Sequence, residues 1–236
     1  MVNPTNPIIW MRPEKPARGP APTYSRARIA AVAIEIADAD GIDAVTMRGI
    51  AKELGTGAMT LYRYLPAKED LYAVMIDQAV GCEPQAPTGD TRADLATLAR
   101  RYRQTLHHHP WLAELLAGRP LIGPNLLAAN ERDLTLLDDR GLTIEGMVDV
   151  LNVIKRWVNG TVQAELSQWA AERKSGLDER TWQQRMGPYL TTMIATGDYP
   201  HLDRMMKEAE FGAADERFER GLAIVLDGIE ARLSEA

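Results

Sequence analysis

Residues 46–65 read TMRGIAKELGTGAMTLYRYL, and their spacing decides the fold. Met47, Ile50, Ala51 and Leu54 recur at helical intervals and give a first short helix one apolar face. Gly55 ends that helix, and Gly55-Thr56-Gly57 forms a tight connection. A second short helix is expected over 58–64, closed by Pro66. A turn of this length holds two helices at a steep angle, the arrangement in which the second enters a DNA major groove. Leu54 and Leu61 are placed to pack the pair together.

The remaining faces of the second helix carry Ala58, Met59, Thr60, Tyr62, Arg63 and Tyr64. These supply hydroxyls for phosphate, a guanidinium that can fork onto a guanine edge, and small apolar groups for thymine methyls. Lys68 opens the next helix, where free backbone amides and the helix dipole favour a phosphate. Thr46 and Arg48 stand at the start of the supporting helix, and Arg26 and Arg28 at the start of the helix before it. All four are placed to meet the DNA backbone.

Two short helices joined by a glycine turn also occur in helical proteins that bind no DNA, so the charge distribution matters. The whole chain carries a net charge of -6 over 236 residues, which argues against a protein that coats nucleic acid over its entire surface. Positive charge is nevertheless local. Between 12 and 28, Arg12, Lys15, Arg18, Arg26 and Arg28 face Glu14 alone. Between 46 and 68, Arg48, Lys52, Arg63 and Lys68 face Glu53 alone. A confined basic surface on an acidic chain fits a confined nucleic-acid footprint.

Outward from this segment, Ser25 is the expected N-cap of a helix whose Ile29, Val32, Ala33, Ile36 and Ala37 form one face, stopped by Gly41. Residues 1–24 hold six prolines and read as a flexible, basic, Pro-rich arm, within which Ile8, Ile9 and Trp10 are unusually apolar. A Pro- and Gly-containing break over 81–89 separates a head, 25–80, from a larger body, 81–236. The body reads as helix over 95–107, 124–138, 143–173, 178–195 and 215–233, with no alternating strand pattern. The expected fold is all-α: a three-helix helix-turn-helix head and a helical body for ligand binding and dimerisation. Aromatics are 6% of the chain, and its apolar share leans on helix-forming Ala, Leu and Met. Cys82 is the only cysteine, so no intramolecular disulfide can form, which fits a cytoplasmic protein. Residues 1–10 lack a basic stretch followed by an apolar run and no apolar run approaches about 18 residues, so neither a signal peptide nor a membrane partner is expected.

The stretches AIEIADADGIDAVTMRGIAKELG and MTLYRYLPAKEDL resemble the DNA-binding head of the tetracycline-repressor (TetR) family. HHHPWLAELLAGRPLIGPN, more loosely, is similar to that family's C-terminal domain. The resemblance implies a homodimeric transcriptional repressor that reads a palindromic double-stranded DNA operator and is released by a small-molecule inducer. It further implies a dimer interface from helices near 143–173 and 215–233. Family DNA contacts fall on Arg48, Ala58, Met59, Thr60, Tyr62, Tyr64 and Lys68. Positions 57–59 lack a long polar side chain, so sparse direct base readout is expected, with shape carrying more.

Tyr102, His109, Trp111, Asn125, Asn152, Trp157, Gln163 and Met193 are the candidate lining of an apolar ligand pocket for a hydrophobic or amphipathic inducer. The same residues also fit plain core packing. His107-His108-His109 precedes Pro110; adjacent helical histidines point about 100° apart, so a helix-end dipole role is expected rather than a metal site. In tetracycline repressors a histidine near the Gly-Arg-Pro turn holds a magnesium–drug complex; Leu115 stands there, so metal–tetracycline is not the implied inducer. No cofactor is expected. No G-x-S-x-G, P-loop, H-E-x-x-H or paired-cysteine motif argues for an enzyme. A constitutive DNA-binding regulator without inducer stays open as the alternative, with a helical enzyme the remote one.

Overall fold

The structure is a computed structural model, and it describes residues 8–14, 24–81, 86–116, 118 and 122–234. Among the described residues every regular element is helical. In the head, α1 (Arg26–Asp40) is followed by a 3-10 turn (Ile42–Ala44), α2 (Met47–Glu53), α3 (Ala58–Leu61) and α4 (Lys68–Val80). The body comprises α5 (Thr91–His108), α6 (Pro110–Leu116), α7 (Pro124–Thr135), α8 (Ile144–Ser175), α9 (Glu179–Ile194), α10 (Pro200–Glu208) and α11 (Ala214–Ser234). The short helices α6 and α10 were not expected from the sequence.

Local chemistry accounts for the helix boundaries. Ser25 caps α1 by accepting the amide of Arg28 at 3.1 Å, and Thr46 caps α2 by accepting that of Gly49 at 3.0 Å. Gly55, at φ 66°, ends α2 in a Schellman arrangement, with Thr56 N–H on Ala51 O and Gly55 N–H on Lys52 O. Asp90, Thr143 and Asp178 cap α5, α8 and α9 in the same way.

One connected apolar cluster runs from head to body. In the head it holds Ile29, Ala33, Ile50, Leu61, Leu65, Leu71 and Met75, so the turn after α3 is anchored from both sides. In the body, Leu95, Ala99 and Leu106 of α5 pack against Ile154, Val158 and Val162 of α8 and Phe218, Leu222 and Leu226 of α11. Ion pairs stitch the rim of this three-helix core. Arg103 bonds Glu165 of α8 at 2.9 Å and Asp215 of α11 at 2.7 Å, and Arg100 grips Glu219 with two hydrogen bonds. By contrast α9 and α10 bury no residue and leave Trp182, Tyr189, Met205 and Met206 exposed.

Residues 8–14 of the expected arm, which carry its unusually apolar Ile9 and Trp10, are docked on the head. Ile9 is 1% exposed and belongs to the core cluster, in a 3-10 turn Ile9–Met11. Arg12 pairs with Asp70 at 2.9 Å. Arg26 donates to the carbonyls of Ile9 at 3.1 Å and Arg12 at 2.9 Å. An apolar anchor and these polar tethers, with Glu14 accepting the Arg26 backbone N–H at 2.7 Å, hold this segment on the head. The rest of the expected arm, 1–7 and 15–23, and Cys82 lie outside the described residues.

Candidate nucleic-acid interface and body cavity

Leu61 and Leu65, fully buried, fix the short α3 against the head core. The regular α-helix ends at Leu61; Tyr62 keeps helical dihedrals, and the chain tightens into turns with Arg63 N–H on Thr60 O and Tyr64 N–H on Leu61 O. The recognition helix is therefore shorter than the expected 58–64. Met59 is 79% exposed and Tyr62 44% exposed, Arg63 is exposed, and Thr60 is half-buried. Ala58 and Tyr64 face inward enough to pack against the core. The outward surface is thus Met59, Thr60, Tyr62 and Arg63.

The flanking residues divide. Arg28, Thr46, Arg48 and Lys68 are exposed at the first turns of α1, α2 and α4. The Thr46 oxygen is engaged in its cap, which leaves the hydroxyl proton for a phosphate. Lys68 lies with its ammonium 5.0 Å from the centre of the Tyr72 ring. A hydrogen bond with Tyr72 raises its pKa above the ordinary lysine value, despite slight burial, and Asp43 and Glu69 add to the effect. Arg26 differs from the expectation: its guanidinium is turned onto the Ile9 and Arg12 carbonyls and not outward.

Behind the head the body holds a partly open cavity of about 670 Å³, a drug-sized volume. It brings together Tyr102, Asn152 and Gln163 of the expected lining, along with Val80 at the end of α4 and Leu126 of α7. Burial pushes the Tyr102 hydroxyl up to about 12, so it is a neutral hydrogen-bond donor throughout the physiological range. The other expected lining residues have different neighbours. Trp157 stacks on Phe218 with ring centres 5.0 Å apart, in the space that Gly221 leaves open on α11. Asn125 donates to the Asp77 carbonyl at 3.2 Å. Met193 is half-buried on α9, outside the lining. His109 and Trp111 both bond Asp38 of α1, at 2.8 Å and 2.7 Å.

Asn159 was missed. It lines the cavity, and among the described residues its buried Oδ1 has no hydrogen-bond partner, while its Nδ2 reaches the Ala113 carbonyl at only 3.4 Å. Lys155, paired with Asp133 at 2.7 Å, lines it too. The signal was available: 152, 155, 159 and 163 follow one face of α8 at steps of three and four.

Comparison with known proteins agrees with this geometry. Residues 29–75 match the family "Bacterial regulatory proteins, tetR family", and residues 83–233 match "Tetracyclin repressor-like, C-terminal domain". The HTH-type transcriptional repressor DrrR1 of Streptomyces coeruleorubidus is 36% identical over 231 residues, covering 97% of this chain and 85% of DrrR1. An HTH-type transcriptional regulator of Saccharopolyspora erythraea is 32% identical over 229 residues, covering 94% of this chain and 91% of the relative. Among solved structures, apo ActR from Streptomyces coelicolor superposes with a TM-score of 0.77 at 26% identity, over 91% of this chain and 98% of ActR. ActR in complex with actinorhodin gives 0.75 at 28% identity, over 90% of this chain and 99% of ActR. These relatives are named for control of transcription and not for catalysis. The chain belongs to the TetR family of bacterial transcriptional regulators, an all-α fold with a helix-turn-helix head.

Proposed function

We propose that this protein is a ligand-responsive transcriptional repressor whose homodimer binds a palindromic operator and is released by a hydrophobic or amphipathic small molecule. The head, 25–80, reads DNA, and the body, 81–236, holds the ligand and the dimer contact. Met59, Thr60, Tyr62 and Arg63 face the groove, with Arg28, Thr46, Arg48 and Lys68 on phosphates. Exposed apolar side chains on α8 (Ile144, Val148, Val153) and Ile224 of α11, 73% exposed, support a dimer through those helices.

The carrying observation is the placement of α4. Its first residue, Lys68, is exposed close after the recognition segment, and its last, Val80, lines the cavity. A ligand that favours one position of α4 changes the spacing of the two heads. It can weaken operator binding only by its differential affinity for the two arrangements, typically about 5–150-fold. Tyr102, Asn152, Asn159 and Gln163 offer the few polar contacts that orient a largely apolar ligand. Its relative ActR forms complexes with actinorhodin and with (S)-DNPA, which supports a ligand of comparable bulk here.

The test starts from a footprint on the DNA flanking the protein's own coding region. Fluorescence anisotropy on that site is then repeated with lipophilic compounds that raise the thermal midpoint. A compound that binds tightly and leaves operator affinity unchanged would refute the coupling and favour a constitutive regulator.

A further inference from the structure

The join between α5 and α6 holds a second constellation. His108 is the last residue of α5, whereas His109 has left the helix, with φ -123° and ψ 76°. That break turns two adjacent imidazoles toward each other, with ring centres 4.5 Å apart and planes near perpendicular. Facing them is Asp38 near the end of α1, whose Oδ1 lies 2.8 Å from His109 Nδ1. One ligand-capable atom from each of Asp38, His108 and His109 lies within 4.8 Å of the others. His107 takes no part, because its Nε2 is on Glu165 at 2.7 Å.

We propose that Asp38, His108 and His109 bind a divalent transition-metal ion of the zinc class, which clips the head to the body. Two imidazoles and a carboxylate are donors that zinc accepts, and a remaining position is open to water. Zinc bonds of about 2.0–2.1 Å at tetrahedral angles place neighbouring donors about 3.3 Å apart. The Asp38–His109 pair stands close to that separation, and His108, exposed at its helix end, turns to complete the set. The carboxylate is also oriented from behind. Trp111, 4% exposed, donates its indole N–H to Asp38 Oδ1 at 2.7 Å, the role of an outer-shell partner that fixes a metal ligand. The side chains of His109 and Asp38 are 13% and 28% exposed, sheltered yet reachable by an ion from solvent. With Asp38 on α1 and both histidines at the end of α5, the ion bridges a head helix and a body helix.

The experiment is zinc titration calorimetry on the tag-free full-length protein, with cobalt substitution read in the visible spectrum. Wild type is expected to bind one ion per chain at micromolar zinc and to show the intense visible bands of low-coordinate cobalt. His108→Ala, which removes an exposed side chain, is expected to lose at least tenfold in affinity and the cobalt bands. It should keep the wild-type thermal midpoint in EDTA, which separates metal binding from folding. His201→Ala, on the remote α10, is expected to bind as wild type does. Equal zinc affinity in wild type and His108→Ala, or an equal loss in His201→Ala, overturns the site.

Discussion

The carboxylate of Asp77, 4% exposed, accepts the backbone N–H of Leu126 at 2.9 Å and so ties the end of α4 to the first turn of α7. Leu126 itself lines the body cavity. A Cβ on Gly123 would collide with both the Asp77 carboxylate and the Trp10 ring, so this helix start is closed down onto α4 by glycine. Asp77→Ala removes the acceptor of the half-buried Leu126 amide and is expected to cost about 1–3 kcal/mol. Asp77→Asn keeps an acceptor and loses only the charge at a helix N-terminus, about 0.3–1 kcal/mol. Denaturant unfolding of the two variants checks the ranking; equal losses would place the effect elsewhere.

Ile9 is expected to behave as a core residue even though it lies near the N-terminus. It is 1% exposed in the head cluster, and Ile9→Ala should destabilise by about 2–5 kcal/mol. Arg26→Ala, which frees the Ile9 and Arg12 carbonyls, should destabilise in the same direction and by less. Thermal unfolding reads both. A wild-type midpoint for Ile9→Ala would mean the segment is not anchored.

For DNA binding, Tyr62→Ala and Lys68→Ala are expected to lower operator affinity with the fold unchanged, since both side chains are exposed. Lys68→Ala should also reduce the slope of log affinity against log salt by about one unit. Anisotropy titrations from low to moderate salt measure it, and an unaltered slope would remove Lys68 from the phosphate contacts.

Asn159→Leu separates ligand binding from stability. The substitution removes an unpartnered buried oxygen, so the ligand-free protein should be as stable as wild type or more so. Ligand affinity should fall about tenfold, the loss of one directed hydrogen bond. Calorimetry with a compound found by thermal shift gives the answer; undiminished affinity would take Asn159 out of the contact set.

Tyr102 sets an alkaline signature. Burial raises its hydroxyl from the ordinary tyrosine value of 10.0 to about 12. The folded state therefore holds this proton more tightly than the unfolded chain. Its contribution is complete below pH 10.0 and is lost as pH rises toward 12. Relative to Tyr102→Phe, the wild type should lose about 1.4 kcal/mol per pH unit across that window, reduced by whatever solvent reaches the hydroxyl. Parallel curves for the two proteins between pH 10 and 11 would contradict the assignment.

What the sequence determined by itself was local. The apolar stripes of α1 and α2, the Ser25 and Thr46 caps, the left-handed Gly55 and the exposure of Tyr62 and Lys68 all rest on interactions within about five residues, which spacing reveals directly. The all-α class and the position of the recognition segment follow from the same short-range rules. The tertiary structure decided which polar side chains had partners. Arg26 turns inward because Ile9 folds back onto the head. His109 and Trp111 leave the expected pocket because Asp38 meets them across 71 and 73 positions. Asp77 reaches Leu126 across 49 positions, joining α4 to the cavity wall. Such pairings depend on how whole helices pack, and no periodicity in the chain encodes which residue of one helix will lie opposite which residue of another.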